Sequence, residues 1–277
     1  MLKKILIGLV GVFIAFYIIS SLKEASKSKV ALIRVNDTIM DHMETVSNIA
    51  QAEKDDSIKA VVIAVDSPGG AVGASQEIYR AIEKLREKKP VVVSMGNVAA
   101  SGGYYISAPA NVIYANPGTI TGSIGVIIQQ VDISEILNKI GVKVNTVKSG
   151  ENKDILYPTK PLTPEQRQIL EKTVMDVYDQ FLDAIVKYRP IKKEVLKTYA
   201  DGRVFSGREA QKIGLVDKLG NIQDAVKEAR KLGKLPEDAP VVEIKPQKPL
   251  LEELLKSKLG VSIEKPKTGI YYLMTFW

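Results

Sequence analysis

The segment Lys59-Ala60-Val61-Val62-Ile63-Ala64-Val65 is apolar without alternation after its first residue. A strand with one wet face alternates polar and apolar side chains, so an unbroken run of this kind must be covered on both faces. That is the habit of a parallel sheet packed between helices. The text around it agrees. Asp66-Ser67-Pro68-Gly69-Gly70 is a turn, and Ala74 to Glu87 then carries a helical period. The same order precedes it, with a strand at Val30 to Val35 and a helix predicted from Met40 to Ala52. It also follows, with a strand from Pro90 to Met95 closed by Gly96 and a helix start at Ser101. Asn111 to Ala115 and Ile124 to Ile128 read as further strands. Repeated βαβ units of this kind predict an α/β fold with a largely parallel sheet.

Beyond residue 130 helices dominate. Thr163-Pro164-Glu165-Gln166 is a capping box with proline at the first helical position, and Ile169, Leu170, Val174, Val177, Phe181 and Ile185 continue an apolar stripe towards Tyr188. Ser206-Gly207-Arg208-Glu209 is a second box, opening a helix that Gly214 ends, after which Leu215 to Asp217 returns to extended chain. The tail ends in Ile270-Tyr271-Tyr272-Leu273-Met274-Thr275-Phe276-Trp277, a cluster suited to a strand, an interface or a membrane contact.

At the other end, Lys3 and Lys4 precede an uncharged run from Ile5 to Leu22, which as a helix spans about 27 Å, enough to cross a bilayer. No A-x-A cleavage site follows, so residues 5–22 are expected to be a retained single-pass anchor. Lysines flank it on both sides (Lys3 and Lys4; Lys23, Lys27 and Lys29), so the charge rule barely orients it. The expected division is an anchor and linker over 1–29, a catalytic domain over 30–245, and a tail over 246–277. The domain is expected at the cell membrane, outside the cytoplasm.

Scarcity limits the chemistry. The 277 residues hold no cysteine and one histidine, His42. Thiol proteases, disulfide frameworks, thiolate zinc and iron–sulfur clusters are excluded, as is a multi-histidine metal site within one chain. A Ser-His-Asp triad would have one candidate base, and His42 lies in a predicted helix ahead of the glycine-rich turns. Formal net charge is +7, but the lysines are spread among 32 acids with no arginine-rich block, so nucleic acid is not an expected partner.

Three glycine-rich turns each follow a strand, where parallel sheets place ligands. Ser67-Pro68-Gly69-Gly70 lacks a Walker lysine and the G-x-G-x-x-G pattern, but paired glycines let a backbone N–H approach a ligand, as an oxyanion hole requires. In Ala99-Ala100-Ser101-Gly102-Gly103 a serine stands among small residues at a helix start. There it is either a cap or a nucleophile with the Gly102 N–H beside it. In Thr121-Gly122-Ser123-Ile124-Gly125, Ser123 is either a buried polar group or a member of the same site. A desolvated lysine can replace histidine as the base if its pKa falls from about 10.4 towards 7, roughly 4 kcal/mol of differential solvation. Chemistry alone does not choose which lysine.

Taken in order, Asp66-Ser67-Pro68-Gly69-Gly70, Ala100 to Ser107, Thr121 to Val126, Lys148-Ser149-Gly150-Glu151-Asn152-Lys153-Asp154 and Asp201-Gly202-Arg203-Val204-Phe205-Ser206-Gly207 resemble the signal peptide peptidase A family over residues 30 to 230. The resemblance is to the short, single-copy form. It implies the Clp protease/crotonase-like fold and a membrane-anchored Ser/Lys endopeptidase, without cofactor or metal, that degrades signal peptides. By position, Ser101 matches the nucleophile, Lys153 the general base, Ser123 the serine that orients the lysine, and the N–H groups of Gly70 and Gly102 the oxyanion hole. It further implies a homo-oligomer whose lysine reaches the serine of a neighbouring subunit. Three other readings of the fold are a protease of stomatin-like membrane proteins, a crotonase-type acyl-CoA enzyme, and a non-catalytic membrane scaffold.

Overall fold

A computed structural model describes residues 28–245 and 271–273. The expected anchor at 5–22 and most of the tail lie outside them; among the described residues no helix is long and apolar enough to cross a membrane.

The chain opens with β1 (Lys29–Asn36), α1 (Met43–Lys54), β2 (Ile58–Ser67), β3 (Gly69–Ala71) and α2 (Val72–Lys88). Next come β4 (Val91–Ala100), α3 (Gly102–Ser107), β5 (Val112–Ala115), β6 (Ile120–Gly122) and α4 (Ser134–Lys139). The later part holds α5 (Pro164–Val186), α6 (Lys193–Lys197), β7 (Val204–Ser206), α7 (Gly207–Lys212), β8 (Lys218–Leu219), α8 (Ile222–Leu232), β9 (Val241–Glu243) and β10 (Tyr271–Leu273).

The main sheet runs β7-β6-β4-β2-β1-β9, with β5 and β8 branching from β4. Its pairings are parallel except β6 with β7. The unbroken apolar run sits in the middle of it, as two-faced burial demands. Val61, Ile63 and Val65 point into the larger core with residues of α1, α2, α3 and α5, while Ala60, Val62 and Ala64 pack beneath Ala225 and Ala229 of α8. Each fully buried aliphatic side chain of valine size or larger contributes about 1.5–3 kcal/mol of transfer free energy, so the central strands carry much of the fold. Helix α2 buries Ser75, Ile78, Tyr79, Ile82 and Leu85, a helical stripe. Both expected capping boxes form, at Thr163 with Gln166 and at Ser206 with Glu209, and Gly214 leaves α7 with φ 82°.

Three expectations change. Helix α1 starts at Met43 rather than Met40, because Ile39 bridges Gly70 and the Asp41 carboxylate accepts from the Met43 N–H at 2.7 Å. Strand β4 does not close at Gly96. It continues to Ala100, and its last three residues pair with β6. Residues 124–128 are not a strand; β6 ends at Gly122, since Gly122 (φ 79°) and Ser123 (φ 48°) turn the chain out of the sheet.

Strand β4 is forked. Val92 to Met95 pair with β5, whereas Val98 to Ala100 pair with β6. On the other side, Val65 faces Met95 but Ser67 faces Ala99, so β4 bulges between these rungs. The Asp66 carboxylate clasps the bulge, accepting from the Val98 N–H (3.0 Å) and the Asn97 side-chain amide (2.9 Å).

Candidate active site

Ser101 occupies the joint between β4 and α3. Its backbone is at φ 52°, ψ −117°, well outside the regions a non-glycine residue ordinarily uses, and its side chain is buried. The cap reading of this serine fails, because its hydroxyl makes no capping hydrogen bond. The backbone is fixed instead: the Ser101 N–H donates to Gly122 O at 2.8 Å, and Ser101 O accepts from Tyr105 N–H at 2.8 Å. Strain of this kind persists where neighbours over-determine it, and it frees a hydroxyl for other work.

The two oxyanion candidates touch one another. A Cβ placed on Gly102 would lie 3.1 Å from the Gly70 nitrogen and 2.7 Å from the Ser75 hydroxyl, so only glycine lets the α3 start pack against β3. A Cβ on Gly70 would stand 2.0 Å from Ile39 O. Ile39 is bound to β3 on both sides of Gly70, its N–H donating to Gly69 O (2.8 Å) and its C=O accepting from Ala71 N–H (2.7 Å). Those bonds use the polar groups of Gly69 and Ala71 on one edge and leave the N–H and C=O of Gly70 on the other. Ser67 shapes the approach. Its hydroxyl donates to Asp37 O at 2.5 Å and accepts from Gly69 N–H at 3.1 Å.

Ser123 is the residue directly after Gly122, whose carbonyl holds Ser101, so the two serine turns are stitched together. It is buried, and its N–H donates to Arg203 O at 2.8 Å. Here the sequence reading quoted Asp201 and Arg203 within a matching segment but gave them no role. Arg203 is gripped bidentately by Asp201 (2.7 and 2.6 Å), which drives the Asp201 carboxyl down to about 2 and fixes the carbonyl that holds Ser123. The Asp-x-Arg spacing was the available signal. His42 stands ahead of α1 with no side-chain capping bond.

Lys153 is exposed, and among the described residues no hydrogen bond or ion pair joins it to Ser101 or Ser123. Its neighbours are organised without it. The Asp154 carboxylate is buried between Lys160 (2.7 Å) and Lys148 (3.2 Å), and the Lys160 ammonium, then that of Lys148, holds it below the usual carboxylate range against the opposing cost of burial. Lys148 also donates to Glu151 O at 2.9 Å, so the turn that presents Lys153 is tied at both ends. Beneath the site, burial pushes the Tyr105 hydroxyl up to about 12, and its ring packs between Tyr79 and Phe181. Tyr104 is fully buried and donates to Leu215 O at 2.9 Å. Among the described residues no cluster of acids and histidines could hold a metal ion.

Strand β10 lies on the open edge of β3, antiparallel, with Tyr271 opposite Ala71, Tyr272 opposite Gly70 and Leu273 opposite Gly69.

Comparison with known proteins agrees with this arrangement. The family model for peptidase family S49 matches residues 83–236, and that for Clp protease matches residues 19–121. A Synechocystis protein named as a protease is 40% identical over 234 residues, 84% of each chain. An Enterococcus faecium protein named as the signal peptide peptidase SppA is 36% identical over 235 residues, 80% of this chain and 68% of that one. The chloroplastic serine protease SPPA of Arabidopsis thaliana is 34% identical over 84% of this chain, which spans only 35% of that longer protein. With its parallel-rich α/β sheet and the serine turn at its edge, the chain belongs to peptidase family S49 and is a serine peptidase.

Proposed function

We propose that this peptidase is a membrane-anchored endopeptidase that degrades extended apolar peptides, foremost signal peptides left after release from preproteins. The observation that carries the reading is the strained, uncapped Ser101 beside the touching pair Gly70 and Gly102. In the proposed mechanism Ser101 Oγ attacks the scissile carbonyl while the uncharged Lys153 amine, oriented by Ser123, takes its proton. The N–H groups of Gly70 and Gly102 hold the oxyanion, and water releases the acyl-enzyme. The edge of β3 that β10 lies on suits a substrate bound as an added strand in its place. Residues 5–22 would tether the 30–245 domain to the outer side of the bilayer, close to such substrates.

The exposure of Lys153 supports a site shared between copies. So does the surface of the same segment, where Val131, Ile136, Ile140, Val144, Val147 and Tyr157 are all exposed on residues 131–157. Apolar exposure on that scale is the mark of an interface, and a neighbouring copy of this chain is the proposed occupant.

Two dead variants test this. Ser101→Ala and Lys153→Ala should each abolish cleavage of an apolar peptide, and mixing them should restore about a quarter of wild-type activity, since one site in four then pairs an intact serine with an intact lysine. A mixture that stays inactive rejects the shared site. Full activity of either variant alone rejects the dyad.

A further inference from the structure

One buried side chain beside the oxyanion pair has its only polar group unmet. Ser75 lies in the first turn of α2, fully buried, and its hydroxyl has no hydrogen-bond partner among the described residues. A helical serine ordinarily returns its hydroxyl to the carbonyl one turn back, here that of Ala71, and Ser75 does not. An unpaired buried hydroxyl is costly, and alanine would avoid the cost. The other two unpaired buried atoms, Arg86 Nη1 and Arg189 Nε, belong to guanidinium groups that are otherwise engaged. Arg86 lies 4.2 Å over the Tyr188 ring, and Arg189 donates to Asp217 (2.7 Å) and to Ala110 O (2.6 Å).

What Ser75 faces is Gly102. A Cβ on Gly102 would meet Ser75 Oγ at 2.7 Å, closer than the Gly69 Cα and the Gly70 nitrogen, both at 3.1 Å. The hydroxyl oxygen therefore rests against the Gly102 Cα where α2 and α3 pack, a place that offers it at most a weak Cα–H contact. The two oxyanion donors are thus held in different ways. Gly70 is fixed by the two Ile39 hydrogen bonds on either side of it. Gly102 has no side chain to wedge it, so its backbone settles against whatever α2 presents, and α2 presents one oxygen atom.

We propose that Ser75 is a positioning residue for the peptidase reaction. Its hydroxyl oxygen is the spacer that keeps the Gly102 backbone at the distance from Gly70 at which both N–H groups reach one oxyanion. Such donors work over a window of a few tenths of an ångström, about 2.7–3.1 Å from the charge they hold. Without the oxygen, Gly102 closes on α2 and its N–H leaves that window. The unpaired proton is the strain that the spacing entails, placed beside the site that uses it.

The inference rests on the assignment of Ser101 and the two glycines above. In Ser75→Ala, kcat on an internally quenched apolar peptide should fall by about tenfold, from a misplacement well under 1 Å. The ratio kcat/KM should fall in step with KM unchanged, since the oxyanion exists only in the transition state. Tm should hold level or rise, because an unpaired buried hydroxyl has gone. A serine that serves only the fold gives the reverse, a lower Tm with kcat intact. Wild-type kcat in Ser75→Ala, or a loss of kcat that comes with a lower Tm, overturns the proposal. A double variant reads the contact itself. The methyl of Gly102→Ala strikes the hydroxyl in the wild-type background and finds room in Ser75→Ala, so its cost in kcat should be at least about fivefold smaller in the second. Costs that simply multiply overturn the contact. Full cleavage by Ser101→Ala would refute the site assignment itself, whereas an inactive Ser101→Ala beside a fully active Ser75→Ala overturns the spacer alone.

Discussion

Replacing Gly70 by alanine places a methyl group 2.0 Å from Ile39 O, so strand and carbonyl must separate by at least about 1 Å to reach ordinary contact. They cannot part freely, because two hydrogen bonds of 2.8 and 2.7 Å clamp Ile39 to the residues on either side of Gly70. Losing or stretching both costs about 1–3 kcal/mol, at roughly 0.5–1.5 each, and for a domain of this size lowers Tm by roughly 2–12 °C. The effect on catalysis is larger. Alanine keeps the N–H but shifts it; losing one oxyanion donor outright costs about 2.7–4 kcal/mol, so kcat should fall by up to about 10²–10³. The assay is cleavage of an internally quenched apolar peptide at 25 °C, below the unfolding transition, with circular dichroism to confirm that the variant is folded. Gly73→Ala is the control. It lies in α2 with open space where its Cβ would go, and should raise stability by up to about 1 kcal/mol without changing kcat. A folded Gly70→Ala enzyme with wild-type kcat would refute the assignment of its N–H to the oxyanion.

The Asp154 carboxyl is held below its usual range by Lys160 and Lys148, so its contribution to stability is present above the unfolded carboxylate pKa of about 3.9 and is lost as pH falls through the lower folded value. Hydrogen exchange across residues 148–160 should therefore quicken in acid, and Asp154→Asn should quicken it at neutral pH and flatten the pH dependence; identical exchange in the two chains would count against the clamp. Tyr104→Phe leaves Leu215 O without its buried donor and should lower stability by about 1–2 kcal/mol, a Tm loss of roughly 2–8 °C in a thermal melt.

The parts legible in the sequence are those with local causes. The central run at 59–65 declared a two-faced strand, and the Thr163 and Ser206 boxes declared their helices, because each signal lies within a few residues of what it specifies. Strand β4 was underestimated because its extension past Gly96 depends on Asp66 and β6, which are distant in sequence. The strand expected at 124–128 failed on a backbone turn at Ser123 that is held by Arg203 O, 80 residues away in the chain. The candidate site divides in the same way. Ser101 beside Gly102 is visible in four letters, whereas the approach of Gly70 to Gly102 and the Asp201–Arg203 grip are products of folding. The choice of Lys153 came from resemblance alone, and in one folded chain that lysine is exposed, with no hydrogen bond to either serine.

The fork in β4 gives one edge of the strand two partners in succession. Rungs 92–95 lead to β5, while rungs 98–100, their two alanines equally buried, lead to β6 and β7 and carry both serine turns. The two communicate through Gly96 and Asn97 and through the Asp66 carboxylate that rivets the joint. Ala99 and Ala100 are fully buried, so any shift of Ser101 against Gly70 is felt by the interior. Losing the rivet would therefore loosen catalysis and the fold together.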